Sequence, residues 1–346
     1  FSLALSQALV RNRGDHEILI ALSDLLSDTI EPIRAAFEGL LPQENIRVWY
    51  APGPVRERQP ENTWRREAAE RIREAFLASL KPDVVLVTSL FEGFDDDAVI
   101  SIGVFDQRTP TVTILYDLIP LLNPDQYLRP NPAYEMHYRR KVEYLKRAYA
   151  WLAISASSAR EGAEALGLRK DHMFIISEGC DECFRPINIS IEEKAALFRN
   201  YKITRPFILY SGGIEEHRKN IHRLIRAYSR LPQDLRESHQ LVLVGGSTHE
   251  EVIRNIQGIA ISAGLSSDEL VVTGYIPDED LVKLYNLCKL FIFPSFHEGF
   301  GLPPLEAMSC GAPVIAANAT SLPEVIGRDD ALFDPFSEDA IAAKIE

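Results

Sequence analysis

The chain has 346 residues, 46% of them apolar and 25% charged, and a formal net charge of −13. The length favours two domains over one. The acidic balance argues against a broad nucleic-acid footprint, and no apolar run approaches the ~20 residues of a membrane span. Four cysteines do not make a disulfide scaffold, and reduced thiols suit a cytoplasmic protein. Short runs rich in Val and Ile, at EILIALS (17–23), NIRVWYA (45–51), DVVLVTSL (83–90), TVTILYDLI (111–119), WLAISAS (151–157) and MFIISEG (173–179), are expected as strands. Between several of them lie helical patterns, at 62–80 and 133–150. The alternation restarts after CFRPINIS (183–190), with strands expected in RPFILYSGG (205–213), QLVLVGG (240–246), ELVVTGY (269–275), LFIFPSF (290–296), PVIAANA (313–319) and ALFDPF (331–336).

Buried short strands alternating with amphipathic helices imply α/β architecture with parallel sheets. Two such units are expected, 1–190 and 191–346. The opening FSLALSQALV reads as the inside of a helix, so a first strand and its loop are expected upstream of it, and SEDAIAAKIE stops inside a helical pattern.

Open α/β sheets bind ligands at the carboxyl ends of their strands. The unusual residues of the second unit follow strands: SGGIEEHRKN (211–220), VGGSTHE (244–250), VTGYIPDED (272–280) and FHEGFGLPPLEAMSCG (296–311). Arg218 and Lys219 are expected to open a helix. Two cations at a helix N-terminus are unfavourable for the helix alone and suit an arriving anion. No P-loop spacing is present, nor a G-x-G-x-x-G after a strand. Glu298 and Glu306 bracket seven residues that contain Gly299, Gly301, Pro303 and Pro304. Prolines suit the first turn of a helix. Glu306 is then expected in or near that turn, either serving the helix dipole or meeting a ligand. A carboxylate beside glycine N–H groups suits a polyhydroxylated ligand such as a sugar or ribose.

The stretch from Glu298 to Glu306, with RKN after its glycine turn and ALFDPF further on, resembles the E-x7-E signature of retaining group 1 glycosyltransferases. The resemblance covers the whole second unit. It extends more weakly to YDLIPLLNP (116–124), AISASSAREG (154–162) and ISEGCDECF (176–184); DLIPLL together with ISEGCDECF looks most like bacterial polysaccharide and O-antigen mannosyltransferases. It implies a GT-B fold, two doubly wound Rossmann-like domains facing across a cleft, the first on the acceptor side and the second holding a nucleotide-sugar donor. It implies that Glu298 meets the donor sugar, with the N–H groups of Gly299, Phe300 and Gly301 beside it. Glu306 is implied at the ribose, Lys219 and Arg218 at the diphosphate, the backbone near Tyr275 and Ile276 at the base, and Leu302 near the ribose or phosphate. Gly213 stands where members often carry Arg, and Tyr116 where many carry His, beside the candidate catalytic Asp117. The residues Ser321 and Leu322 are expected to support the site. No metal or other cofactor is expected. The reaction implied is transfer of a sugar, mannose from GDP-mannose being the leading choice, to a saccharide or lipid-linked acceptor. A nucleotide-sugar epimerase and a weakly catalytic partner subunit are the alternatives.

Three further features stand outside this pattern. Asp95–Asp97 are expected to start a helix rather than hold a catalytic metal. Five basic residues in 134–149, interleaved with Tyr and Leu, form a positive strip if they share one face. Such a strip suits peripheral contact with anionic lipid, although a solvated face is the simpler expectation. Cys180 and Cys183 have C-x-x-C spacing without a second ligand pair.

Overall fold

The computed structural model describes residues 2–246 and 250–346. Contacts divide it into two units. One runs to Ala153 and includes Ala159–Ile175; the other contains Ile154–Ser158 and Ile176–Glu346. The chain therefore changes unit at Ile175, before the boundary expected at 190.

In the first unit the expected strands form two parallel sheets rather than one. β1 (Ile20–Ser23) pairs with β2 (Ile46–Trp49). β3 (Val85–Val87), β4 (Thr111–Leu115), β5 (Ala150–Ala153) and β6 (Met173–Ile175) pair in chain order. Their core includes Leu115, Leu118, Leu145, Trp151 and Ala153. Helix Pro132–Arg147 starts where Asn131 caps it, its side chain accepting the Tyr134 N–H at 3.2 Å, with Pro132 in the first turn. Those two signals define a helix start in sequence.

The basic residues of this helix do not make a strip. His137 and Lys141 are fully buried. The Lys141 ammonium donates to the Ile100 carbonyl at 2.8 Å. The His137 ring nitrogens lie 2.6 Å from the Glu57 carboxylate and 3.0 Å from the Phe91 carbonyl. Arg140 binds both Glu57 and Glu70, and Tyr144 donates to Glu70 at 2.9 Å. Arg139 and Lys146 pair with Glu135 and Glu143 on the same helix. A 16-residue helix has room for basic residues on several faces, and here burial selects which of them find carboxylates. Arg139, Lys146 and Arg147 remain exposed, so the five basic residues do not share one face and the expected strip is reduced to these three.

The acids Asp95–Asp97 start no helix. Asp97 accepts the Val55 N–H at 2.7 Å and the Arg56 N–H at 3.1 Å, and pairs with the Arg56 guanidinium at 2.8 Å. Asp96 accepts the Ala98 N–H at 2.8 Å. Short carboxylates compete with helical hydrogen bonding by binding nearby backbone, and these hold a loop instead.

The second unit has one six-stranded parallel sheet: β7 (Phe207–Ser211), β8 (Gln240–Val244), β9 (Leu270–Gly274), β10 (Leu290–Phe293), β11 (Val314–Ala317) and β12 (Leu332–Phe333). Their spatial order is β12-β11-β10-β7-β8-β9. β7 and β8 are buried along their whole length, which explains their continuous apolar runs. Chain order reverses between β7 and β10, which pair through Leu290 with Ile208 and Phe291 with Leu209. That reversal is the switch point at which open sheets of this type bind ligands.

Candidate functional site

The loops after β7 and β10 leave adjacent strands at the switch point, and nearly all the site candidates of the second unit lie on them. After β7 comes a tight turn, His217–Lys219, and then Asn220 in the left-handed region (φ 63°). Only then does helix Ile221–Ser229 begin. Arg218 and Lys219 thus precede the helix instead of opening it. Asn tolerates the left-handed region better than most residues. The Asn220 amide also ties this turn to the sheet edge, donating to the carbonyls of Pro294 (3.1 Å) and Pro335 (2.7 Å).

Glu298, 79 positions from Lys219 in sequence, receives both cations. Its Oε1 lies 2.7 Å from Lys219 Nζ and its Oε2 lies 2.7 Å from Arg218 Nη1. Glu298 and Lys219 are buried, 9% and 8% exposed. Burial by itself would raise the Glu298 pKa; the Lys219 and Arg218 charges more than offset it and hold the carboxyl below its ordinary range. Arg218 also donates to Glu216 (2.8 Å) and to the His297 carbonyl (3.0 Å). Phe293, at the end of β10, sets its ring 5.3 Å below the Lys219 ammonium.

The turn after Glu298 is built asymmetrically. Its three carbonyls are occupied by hydroxyls. Ser321 Oγ is 3.0 Å from the Glu298 carbonyl and 2.6 Å from that of Phe300, and the Gly299 carbonyl lies 2.6 Å from Ser155 Oγ and 3.1 Å from Ser158 Oγ. The Glu298 N–H donates to Thr320 at 3.0 Å. Among the described residues, the N–H groups of Gly299, Phe300 and Gly301 make no hydrogen bond. The turn therefore presents donors with their acceptors tied back. Gly301 closes it at φ 124°, where a Cβ would also stand 2.8 Å from the Leu322 side chain, so only glycine fits.

Helix Leu302–Ser309 follows, with Pro303 and Pro304 near its start. Glu306 is the fifth helical residue, beyond the first turn, so the helix dipole does not account for it. Its Oε2 accepts the Tyr285 hydroxyl at 3.0 Å, and that hydroxyl is 2.6 Å from Ser211 at the end of β7. Burial raises the Glu306 pKa from its ordinary value, partly offset by the Tyr285 hydrogen bond. The Gly213 carbonyl accepts the Tyr210 hydroxyl at 2.7 Å. Phe300 and Leu302 are partly exposed. At the end of β9, Tyr275 is 75% exposed while Ile276 is in the core at 4%.

Asp117 belongs to the first unit, after β4, where it accepts the Ile119 N–H at 3.0 Å; Tyr116 donates to the Thr88 carbonyl at 2.7 Å. Sequence reasoning missed Ser155, Ser158, Tyr285 and Glu324 as parts of this site. Glu324 accepts the N–H groups of Ala156 (2.8 Å) and Ser157 (3.0 Å). Ser155 and Gly299 are 144 positions apart, and the resemblance of AISASSAREG (154–162), which holds both serines, assigns neither a role. Among the described residues, no three His, Cys, Asp or Glu side chains are grouped to hold a metal ion. No described helix is long and apolar enough to cross a membrane.

Solved glycosyltransferases share this fold over 95% of the chain, and it is the GT-B fold. The profile of the family described as Glycosyl transferases group 1 matches residues 193–346, and the chain carries a domain of that family. The Serotype-specific mannosyltransferase WbdA of Escherichia coli is 42% identical over 333 residues, 96% of this chain and 39% of that protein. The O-antigen chain mannosyltransferase B of Escherichia coli is 35% identical over 220 residues, 61% of this chain and 56% of that protein. This chain thus spans 39% to 56% of the length of these relatives. The solved structure of Anabaena HepE in complex with UDP and glucose superposes with a TM-score of 0.62 at 20% identity, covering 95% of this chain and 89% of that one.

Proposed function

We propose that this chain transfers a mannosyl group from a nucleoside diphosphate donor, GDP-mannose first among them, to a saccharide or lipid-linked acceptor in cell-surface polysaccharide synthesis in the cytoplasm. The observation that carries this reading is the Glu298 carboxylate shared between Lys219 and Arg218 at the switch point, beside three open N–H groups. Relatives named as mannosyltransferases support the choice of sugar.

The chemistry follows from the charges. The bond from the anomeric carbon to the β-phosphate oxygen breaks, and negative charge collects on the departing diphosphate. Lys219 and Arg218 stabilise it, moving part of their interaction from Glu298 to phosphate. Preorganised charge aimed at a developing anion is an effective form of catalysis. Glu298, with each oxygen held by a cation, is a poor nucleophile, and its part is to fix those cations and meet the sugar hydroxyls. The acceptor oxygen then attacks from the face that the phosphate leaves and gives its proton to the departing phosphate oxygen, which retains the anomeric configuration. Glu306 takes the ribose hydroxyls, the backbone at Tyr275 and Ile276 borders the base, and Gly213 and Leu302 flank the phosphates. Asp117 is a further candidate catalytic carboxylate. The two cations neutralise the diphosphate without a metal.

A panel of nucleotide sugars, each with and without a lipid-linked or oligosaccharide acceptor, tests this. Transfer by the wild type that is lost in Glu298→Ala and Lys219→Ala is the expected result; equal transfer by those variants overturns the site. Epimerised donor without acceptor would mark a nucleotide-sugar epimerase. Tight nucleotide binding without turnover would mark a partner subunit.

A further inference from the structure

The turn from Glu298 to Gly301 must present its N–H groups in fixed directions if it is to read a sugar. We infer that Ser155 and Ser158, anchored by Glu324, are positioning residues that aim the Phe300 N–H at the donor's sugar. This inference rests on the donor reading above. The Gly299–Phe300 peptide is trans, since the only cis bond among the described residues is Gly53–Pro54. In a planar trans peptide the carbonyl and the N–H point in opposite directions. Two buried hydroxyls hold the Gly299 carbonyl, at 2.6 and 3.1 Å. Fixing that oxygen on the serine side fixes the Phe300 N–H on the other side. Hydrogen bonds accepted at the oxygen also polarise the peptide and strengthen its N–H as a donor.

The serines are themselves held. Ser155 accepts the Ser158 N–H at 2.9 Å, and the two hydroxyls are 3.0 Å apart. Both are essentially inaccessible, Ser155 at 0% and Ser158 at 1%. They sit at the start of helix Ala156–Leu166, whose first two N–H groups are taken by the two carboxylate oxygens of Glu324. A carboxylate there satisfies orphan donors and the positive end of the helix together. Glu324 lies in helix Leu322–Ile326, directly after Ser321, the residue that ties down the Glu298 and Phe300 carbonyls. One short helix thus fixes the turn twice, directly through Ser321 and indirectly through Glu324 and the serines.

The test compares ligands with and without the sugar. Calorimetry gives Kd for GDP and for GDP-mannose, and initial rates give kcat and KM, in wild type, Ser155→Ala/Ser158→Ala and Glu324→Gln, each with its thermal midpoint. The double variant is expected to bind GDP within about twofold of wild type while kcat/KM for transfer falls about 10- to 100-fold, less than the ~10²- to 10³-fold of a donor removed outright because the Phe300 N–H is misaimed and not lost. Glu324→Gln is expected to fall in the same direction by about tenfold or less, because the amide keeps one acceptor. Equal losses for GDP and GDP-mannose would reduce the serines to a structural role, and transfer at the wild-type rate would remove any role; either overturns the inference. Where the double variant does not fold, Ser155→Ala and Glu324→Gln decide by the same split. Wild-type protein that binds GDP but gains nothing from the sugar also overturns it. Wild-type protein that binds no nucleotide or nucleotide sugar overturns the donor reading first.

Discussion

Each unit buries a carboxylate among cations, and the two clusters serve different ends. In the first unit Glu57 meets His137, Arg140 and Arg66, and Glu70 meets Arg140 and Tyr144. These groups come largely from the bodies of helices Thr63–Ser79 and Pro132–Arg147, so the cluster pins the two helices together. In the second unit Glu298 meets Lys219 and Arg218, all three from loops at the carboxyl edge of a sheet, where chain order reverses. Open N–H groups adjoin it. Buried charge by itself does not mark a site. Position at a strand end, beside donors with no protein partner, distinguishes the second cluster from the first.

The sharpest break in this comparison is Glu57→Ala. It leaves Arg140 and Arg66 without a shared counterion and His137 Nδ1 without its carboxylate partner, and removing one partner of a buried pair costs about 3–5 kcal/mol. Urea unfolding should show that loss, while the folded fraction binds nucleotide as wild type does. Lys219→Ala should act the other way. Transfer is expected to fall about 10²- to 10³-fold, a barrier increase of about 3–4 kcal/mol, and stability less than in Glu57→Ala because Glu298 keeps Arg218. Steady-state rates set beside the unfolding curve check both halves. Glu298→Gln keeps the shape and removes the charge. Its cost, about 1–3 kcal/mol in transfer, should appear in kcat/KM more than in GDP affinity.

Acid provides a smaller test. Burial would raise the Glu57 pKa, but hydrogen bonds from His137 and Arg140 more than offset it and hold the value at about 2, against an ordinary 4.5. A carboxyl lowered on folding adds stability above its unfolded pKa and loses it as pH falls through the folded one. Stability should therefore decline between about pH 4.5 and 2, and Glu57→Gln should flatten that decline. Stability measured across this range in both proteins decides it. The smallest expected effect is none: transfer with EDTA should equal transfer without it. A loss restored by Mg²⁺ would show that Arg218 and Lys219 do not neutralise the diphosphate alone.

Much of the site was legible because its residues lie close together in sequence. Arg218 and Lys219 are neighbours, and Glu298 to Glu306 form one stretch whose glycines and prolines announce a turn and a helix start. The strands were legible from their apolar runs. The supporting residues were not. Ser155 and Gly299 are separated by 144 positions, and Tyr285 reads as one more apolar residue of an amphipathic helix. The basic residues of 134–149 misled because a count of charges carries no direction. His137 and Lys141 turn inward, and Arg140 finds its carboxylates 83 and 70 positions upstream. Asp95–Asp97 misled because an acid that favours a helix start equally favours binding loop N–H groups.

The sequence by itself determined the alternation of strand and helix, the second unit's type and the residues able to do its chemistry, since periodicity, turn residues and local spacing are properties of contiguous chain. Tertiary structure alone decided that Lys219 and Arg218 share one carboxylate and that the turn after Glu298 has its carbonyls tied back. It also decided which buried charges serve only the fold. Those outcomes depend on which strands become neighbours. β7 and β10 pair across the intervening 80 or so residues because burying both faces of a parallel sheet requires it, and that pairing brings the two loops to one edge.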